Sequence, residues 1–186
     1  MVTLNRIYTR TGDGGDTALG DGTRLPKDAL RIEAIGAIDE ANAALGIAGL
    51  TAAAPLDAMI SRLQNDLFDL GADLCVPERD GKTPLRIAPA QVTRLERDID
   101  ALNGALGPLT SFILPGGDPT AAALHLARTI VRRGERTMVA LARESTLNPH
   151  ALAFVNRLSD LLFVMARTAN RDSGAGDVLW VPGENR

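Results

Sequence analysis

Apolar residues recur at helical spacing in five stretches of the chain, and polar residues separate these stretches. The stretches run from Asp28 to about Leu50, from Leu56 to Cys75, from Pro89 to about Asn103, from Asp118 to Arg143 and from Asn148 to about Arg171. The last two open with an N-capping residue followed by proline, which is typical of a helix start. No strand pattern is longer than a few residues. The sequence therefore predicts an all-α bundle of five helices, whose last two are antiparallel because a short loop joins them.

The segments outside these helices are rich in glycine, proline and polar residues. Residues 1–27 and the tail at 172–186 lack helical periodicity and are predicted to be irregular, with Trp180 available to pin the tail down. A polar loop is expected at 76–84. At 186 residues the chain is expected to be a single domain, with residues 28–171 as its helical bundle.

The overall charge and the cysteine count exclude several classes of function. A formal charge of −3 and an isoelectric point near 5.4 argue against a general binder of nucleic acid or of membrane surfaces. Cys75 is the only cysteine, so no internal disulfide can form and a reducing compartment fits best. No apolar run is long enough to span a membrane or to form a signal peptide. We expect a cytoplasmic protein without a histidine metal site, since His125 and His150 lie far apart in the sequence.

The fourth helix carries a row of arginines opposite its apolar face. The row comprises Arg128, Arg132, Arg136 and Arg143, and Glu135 is the only acidic residue near it. Like charges at this spacing destabilise a helix, so the row needs anions from elsewhere. Carboxylates of other helices, such as Asp160 on the fifth helix beside Asn156, are one source; a phosphate is the other. The excess of arginine decides little, because the whole chain has 18 Arg and only Lys27 and Lys82.

The segment TRTGDGGDT at 9–17 offers what a polyphosphate requires. It supplies hydroxyl groups or cationic charge from Thr9, Arg10, Thr11 and Thr17, and its glycines Gly12, Gly14 and Gly15 let backbone N–H groups approach phosphate oxygens. It matches neither a Walker A loop nor a dinucleotide fingerprint. The alternative is a solvated Asp-Gly turn, and Asp13 and Asp16 oppose phosphate unless a divalent cation accompanies it. Lys27 is a further candidate for phosphate.

Two simpler expectations concern burial. The apolar segment around Phe112 is expected to anchor its loop in the core. On the second helix, Asn65, Asp66 and Asp69 are expected to point outward, opposite the apolar face.

Three separated segments together resemble the PduO-type ATP:cob(I)alamin adenosyltransferases. They are YTRTGDGGDT at 8–17 with RLPK at 24–27, FILPGG at 112–117, and ARTIVRRGER at 127–136 with VNRLSDLLFVMAR at 155–167. Each motif alone is modest, but their joint spacing is specific and covers nearly the whole chain. The resemblance implies a five-helix subunit of a homotrimer that binds ATP and a corrinoid between subunits.

The resemblance also implies roles for individual residues. The phosphate loop would comprise Thr9, Arg10, Thr11, Gly12 and Thr17 with Lys27, and the nucleotide-binding helix residues would be Arg132, Arg133, Glu135, Arg136 and Asn156. Phe112 matches the phenylalanine under the corrin ring, and Phe112 and Arg132 are the expected catalytic residues. Asp39 and Arg128 match a pair that forms a salt bridge between subunits.

The chain departs from the family pattern in three places. Gly134 stands where alanine is more common, and Thr137 stands where a further arginine is common. The phenylalanine that some members carry near the C-terminus has no counterpart after Trp180.

The activity implied by the resemblance is transfer of the 5′-deoxyadenosyl group of ATP to cob(I)alamin, by attack of Co(I) on the 5′ carbon. Triphosphate would leave, and Mg²⁺ would accompany ATP. No general base is needed, because Co(I) is already a strong nucleophile. A cobalamin reductase and an adenosylcobalamin-dependent enzyme are the expected partners. Two alternatives stay open: a non-catalytic sensor or carrier of ATP or cobalamin with the same fold, and a helical scaffold whose arginines are paired internally.

Overall fold

The computed structural model describes residues 7–77 and 84–186, and this part of the chain forms a five-helix bundle with one short hairpin. The elements are β1 (Asp16–Ala18), β2 (Arg24–Pro26), α1 (Leu30–Gly49), α2 (Leu56–Cys75), α3 (Pro89–Asn103), α4 (Pro119–Leu141) and α5 (Pro149–Asp172). The predicted five helices are confirmed. Most of the loop expected at 76–84, and the first six residues of the expected N-terminal loop, lie outside the described residues.

The N-terminal region contains more regular structure than its composition predicts. β1 and β2 pair in antiparallel register, with Thr17 opposite Leu25, and the turn is closed by a 2.8 Å bond from Leu19 N to Thr23 O. Strands of three residues are too short to produce an alternating pattern, which is why the sequence does not reveal the hairpin.

The bundle is organised around α4, which packs against both α1 and α5, while α2 packs on α1 and α3 packs on α5. Small side chains let α1 and α4 approach closely, among them the buried Ala34, Ala37 and Ala41. Gly134 lies at this contact, since a Cβ there would be 3.2 Å from Ile38 Cδ1. The glycine that departs from the family pattern thus lies where the two helices are in close contact.

The last two helices are capped as their sequences predict. The Asp118 carboxylate accepts a 2.8 Å bond from Thr120 N, and the Asn148 side chain accepts a 3.0 Å bond from His150 N. Caps of this kind stabilise a protein by about 1 kcal/mol each. They fix the starting points of the two helices that carry most of the predicted site.

The expectation that Asp66 points outward is wrong. Asp66 is buried, forms an ion pair with Arg94, and accepts a 3.0 Å bond from Gln91 Nε2. Both partners come from α3, so the burial depends on a neighbouring helix that a single-helix pattern does not include.

The hairpin is attached to the C-terminal end of α2. Gly20 N donates to Cys75 O at 3.1 Å, and the neighbouring Leu19 is buried. Arg31 donates to Leu74 O at 2.7 Å, which satisfies another carbonyl that the helix leaves without a partner. Burial, followed by the nearby Arg86, lowers the pKa of Arg31.

None of the helices in the described ranges is both long and apolar enough to cross a bilayer.

Candidate functional site

The predicted phosphate loop is held against the hairpin. The hydroxyls of Thr9 and Thr11 lie 2.9 Å apart, and Arg24 Nη2 donates to Thr11 O at 2.9 Å. Arg10 has a positive φ of 62° and its guanidinium lies 5.6 Å from the centroid of the Tyr8 ring. The side chains of Thr9, Arg10 and Thr11 are exposed, so a ligand can reach them.

Lys27 and Gly12 lie side by side. A Cβ on Gly12 would be 3.3 Å from Lys27 Nζ, and Lys27 N donates to Gly15 O at 2.8 Å. Thr17 is half-buried in β1. The hairpin therefore brings Lys27 next to Gly12 of the predicted phosphate loop, although Lys27 follows the loop in sequence.

The arginine row of α4 is largely free of protein carboxylates. Within the described ranges, Arg128, Arg132, Arg136 and Arg143 form no ion pair. Arg136 Nη1 donates only to Arg132 O, at 3.0 Å. This arrangement contradicts internal pairing as the explanation of the row and leaves the guanidinium groups available to an outside anion.

Arg133 is the exception on this helix. Its guanidinium forms an ion pair with Glu40 and lies 3.9 Å from a carboxylate oxygen of Glu33. Both acids belong to α1, and sequence reasoning does not identify them as partners. Arg133 is therefore partly neutralised within its own chain, whereas its neighbour Arg132 is not.

A cavity of about 340 Å³ opens between α3, α4 and α5. Its lining combines charge with apolar surface: Ile99, Asn103, Arg128, Arg132, Ser159, Asp160, Phe163 and Val164. Asp160 shares the cavity with two arginines as expected, but it forms no ion pair with residues of the described chain. The cavity thus presents two cationic groups and one carboxylate that are not satisfied by one another.

Arg128 is affected by burial in this arrangement and by its neighbour Arg132. Its Nε is buried and makes no hydrogen bond with any described residue. Burial and then the proximity of Arg132 lower the pKa of Arg128. Asp39, the residue predicted to pair with Arg128 across a subunit interface, is exposed on α1 and has no ion pair in the described chain. Neither member of the predicted pair therefore forms an ion pair within the part of the chain that the structure describes.

Glu135 and Asn156 link the two long helices. Asn156 Nδ2 donates to Glu135 Oε1 at 2.8 Å, and Asn156 Oδ1 accepts from Arg157 at 2.6 Å. The structure brings these two predicted residues together, one turn from Arg132 on α4.

Phe112 is exposed, which contradicts the expectation that its segment serves as a buried anchor. Its side chain is 78% exposed, and its ring centroid lies 6.0 Å from that of Trp180 at an interplanar angle of 56°. Trp180 N donates to Phe112 O at 2.7 Å, so the two aromatic residues share backbone pairing as well. An exposed aromatic ring on an ordered loop is a surface that a flat apolar ligand can cover.

Comparison with known proteins decides which family the chain belongs to. Residues 7–169 match the family model described as Cobalamin adenosyltransferase. The chain belongs to this family. A corrinoid adenosyltransferase of Mycobacterium tuberculosis (strain ATCC 25618 / H37Rv) is 48% identical over 192 residues, which cover 100% of this chain and 97% of the relative. A cobalamin adenosyltransferase of Cupriavidus metallidurans is 48% identical over 179 residues, which cover 95% of each protein.

Solved structures of family members share the fold. A phenylalanine-to-histidine variant of a PduO-type ATP:corrinoid adenosyltransferase from Lactobacillus reuteri, complexed with cobalamin and ATP, has a TM-score of 0.91 and 36% identity; the match covers 95% of this chain and 97% of that one. An arginine-to-lysine variant from the same organism, complexed with ATP, has a TM-score of 0.88 and 37% identity. The family predicted from the three motifs is confirmed.

In the structure of this chain, the predicted site residues fall into three groups. The phosphate loop with Lys27 forms one group, the α4 arginines with Glu135 and Asn156 form a second, and Phe112 with Trp180 forms a third. Among the described residues, no hydrogen bond or ion pair joins residues 9–17 to α4.

Sequence reasoning missed one cluster next to Phe112. Arg167 and Asn170 are buried on α5 and bind Asp177 of the tail through 2.9 and 3.2 Å contacts. The available signal was an arginine and an asparagine on an otherwise apolar stretch of helix, followed by an acidic residue in the tail.

Proposed function

We propose that the chain transfers the 5′-deoxyadenosyl group of ATP to cob(I)alamin, giving adenosylcobalamin and triphosphate. The reaction class follows from the family, since the chain is a corrinoid adenosyltransferase. The observation that carries the assignment of residues is that Arg132 and Arg136 of α4 form no ion pair with any described residue, and that Arg132 lines a cavity.

In the proposed step, the Co(I) electron pair forms a bond to the 5′ carbon while the bond from that carbon to the triphosphate oxygen breaks. The triphosphate leaves with the electron pair of the broken bond, so negative charge grows on it. The protein must align the two substrates and stabilise this charge. Guanidinium groups fixed on a helix suit that task, because they need no rearrangement as the charge develops.

Three groups of residues divide the work on ATP. We infer that Thr9, Arg10, Thr11, Gly12, Thr17 and Lys27 enclose the phosphates, while Arg132, Arg133 and Arg136 stabilise the leaving triphosphate. Glu135 and Asn156, already joined to each other, offer hydrogen-bonding groups to the nucleoside. Arg132 is the residue of this set with the strongest claim to a catalytic role, because its charge lines the cavity without being paired.

Mg²⁺ is proposed to enter with ATP. In the described part of the chain, no group of three histidine, cysteine or carboxylate residues is arranged to hold a metal ion. An ion in the site would therefore depend on phosphate oxygens and water for most of its ligands, as Mg²⁺ does in many nucleotide sites.

Phe112 is proposed to cover the lower face of the corrin. An axial ligand below cobalt raises the energy of the orbital that accepts the electron, so a dry, unligated face eases reduction to Co(I). The ring has no lone pair to donate, and its 78% exposure in the single chain leaves it accessible to a corrin.

A homotrimer is proposed as the working unit. The support is that, among the described residues, no hydrogen bond or ion pair joins the phosphate loop to α4, and that neither Arg128 nor Asp39 forms an ion pair there. If the loop of one subunit covers the arginines of the next, each site is completed between subunits. A cobalamin reductase and an adenosylcobalamin-dependent enzyme would act before and after this step.

The test is anaerobic incubation of the full chain with Mg-ATP and chemically reduced cobalamin, with adenosylcobalamin measured by its absorption spectrum. Many turnovers per chain are expected. Binding of ATP or cobalamin without turnover would support the sensor or carrier alternative instead. A melting temperature that ATP does not raise would support the scaffold alternative.

A further inference from the structure

We propose that Asp177 is a positioning residue for Phe112, acting through residues 178–180 of the tail, an extended segment that pairs with the backbone around Phe112 and is called the tail strand below. The inference rests on the proposed role of Phe112 at the corrin. It concerns a residue in the C-terminal tail that makes no direct contact with Phe112, and it assigns a function to the otherwise unexplained buried cluster at the end of α5.

The segment that carries Phe112 is not part of a helix, and it is held in place by pairing with the tail. Trp180 N donates to Phe112 O at 2.7 Å, Leu114 N donates to Val178 O at 2.8 Å, and Ser111 Oγ donates to Trp180 O at 2.7 Å. Ile113 and Leu179 form the bridge between these bonds. The direction of Phe112 is therefore fixed by the register of this two-stranded patch.

The Phe112 ring has one aromatic neighbour. It meets Trp180 at 6.0 Å between centroids and is otherwise largely exposed. Aromatic pairs at this separation are mutually attractive. If the tail strand moves, Phe112 loses both its backbone partner and its ring contact, so the tail controls where the ring lies.

Asp177 immediately precedes the tail strand and uses both carboxylate oxygens. Oδ2 accepts from Arg167 Nε at 2.9 Å, and Oδ1 accepts from Asn170 Nδ2 at 3.2 Å. Arg167 is 7% exposed and Asn170 is 1% exposed, so both are fixed in the body of α5.

Arg167 and Asn170 also bind the loop before α4, at positions that precede and follow Phe112 in the sequence. Arg167 Nη2 donates to Gly107 O at 2.9 Å, and Asn170 binds Gly116 O at 3.2 Å and Asp118 N at 2.9 Å. The loop before α4 and the tail after α5 are thus tied to one point, and the Phe112 patch lies beyond it.

A buried ion pair is a weak source of net stability, because desolvation offsets much of the attraction. Its value here is geometric: charged, two-point hydrogen bonding sets the position of a loop more closely than apolar packing does. A group that must cover one face of a corrin depends on such placement, since supporting contacts decide whether a site is held within about half an ångström.

The test compares Asp177→Asn with wild type and with Phe112→Ala in the full-length protein. Three quantities are measured: kcat, the KM for ATP, and the fraction of bound Co(II) corrinoid without a lower axial ligand, read from its electron paramagnetic resonance and absorption spectra. Asp177→Asn is expected to lower kcat at least tenfold and to reduce the unligated fraction toward that of Phe112→Ala. The KM for ATP is expected to stay within twofold of wild type.

Asp172→Asn is the matched control. Asp172 lies at the same end of α5 but forms an exposed ion pair with Arg171, so its removal should leave all three quantities unchanged. Trp180→Ala should reproduce the loss while leaving the Asp177 cluster intact, and Trp180→Phe should restore most of it. These two variants decide the question if Asp177→Asn fails to fold.

The proposal is overturned if Asp177→Asn, or Trp180→Ala in its place, keeps the wild-type kcat and unligated fraction, or if its loss falls on the KM for ATP. Failure of the wild type to turn over would instead refute the proposed function, so the two failures are distinguishable.

Discussion

Glu135 on α4 accepts a 2.8 Å hydrogen bond from the side-chain amide of Asn156 on α5, one turn away from the unpaired Arg132. Removal of the amide by Asn156→Ala leaves the Glu135 carboxylate without this donor. A lost hydrogen bond to a charged group costs about 1.5 kcal/mol, which is about tenfold in affinity. We expect the KM for ATP to rise by about that factor, as measured by steady-state kinetics, with Thr129→Ala on the exposed side of α4 as a silent control. An unchanged KM would remove Asn156 from the nucleotide site.

Arg132 and Arg133 are adjacent in sequence but differ in their surroundings. Arg132 has no carboxylate partner in the described chain, whereas Arg133 pairs with Glu40 and lies near Glu33. We expect Arg132→Ala to lower kcat by about 10²-fold, as loss of a charge-stabilising donor does. Arg133→Ala, the matched control, should lower kcat less. Equal losses at the two positions would show that the internal pairing does not matter.

The buried Nε of Arg128 and the exposed Asp39 predict a contact between subunits. Asp39→Arg should weaken the proposed trimer through repulsion between like charges, and the double variant Asp39→Arg with Arg128→Asp should restore it. Analytical ultracentrifugation over a range of protein concentrations measures both effects. If the charge-reversed single variant associates as tightly as wild type, the pair does not lie at the interface.

The lowered pKa of His125 predicts how the stability of the folded chain depends on pH. Burial, followed by the positive charge of Arg128, lowers the pKa of His125 in the folded chain, while Asp177 opposes the shift. The unfolded chain takes up the proton below about pH 6.5, and the folded chain does so only at lower pH. The contribution of His125 to stability is therefore fully present above about pH 6.5 and is lost as the pH falls through the folded-state pKa.

The comparison uses His125→Leu, with His150→Gln as the exposed control. Urea unfolding at several pH values between about 7.5 and 5 should show a smaller loss of stability for His125→Leu than for wild type. If stability falls equally with pH in His125→Leu and in wild type, His125 is not the group that causes the loss.

Gly117 has a positive φ of 97°, and a Cβ there would overlap the Asn170 side chain that holds the tail. Gly117→Ala should cost about 2 kcal/mol or more in the free energy of unfolding, because it adds backbone strain to displacement of a buried amide. Gly71→Ala is the control, since Gly71 lies within α2 and a Cβ there would meet nothing within 4 Å. That variant should be neutral or stabilising by up to about 1 kcal/mol. Chemical denaturation measures the free energy of unfolding of both variants. Equal stability of the two would contradict the packing argument.

The helices were predictable because each carries apolar residues at helical spacing, and the last two also begin with a cap and a proline, at Asp118 and Asn148. The hairpin was not, because three-residue strands have no period. The wrong placement of Asp66 has a related cause, since its partners Arg94 and Gln91 come from another helix. Pairings across the fold are invisible to a pattern measured along one element.

Only the joint spacing of the motifs allowed a candidate site to be named, and the roles of its residues stay predictions. From residue types alone, the arginine row was equally compatible with internal carboxylates, and only the structure shows that Arg133 is paired and Arg132 is not. The exposure of Phe112 reverses the expectation that follows from its apolar character. The cluster of Arg167, Asn170 and Asp177 depends on a tail returning to a helix, which no local pattern reports.

Among the described residues, no hydrogen bond or ion pair joins the Gly/Thr loop to the arginines of α4, and this bears on inheritance as well as on chemistry. If every catalytic centre is shared by two polypeptides, a lesion in one half of a chain leaves its other half usable by a neighbour. Two inactive alleles, one damaged at Thr11 and one at Arg132, should then complement each other when co-expressed, whereas two alleles damaged in the same half should not.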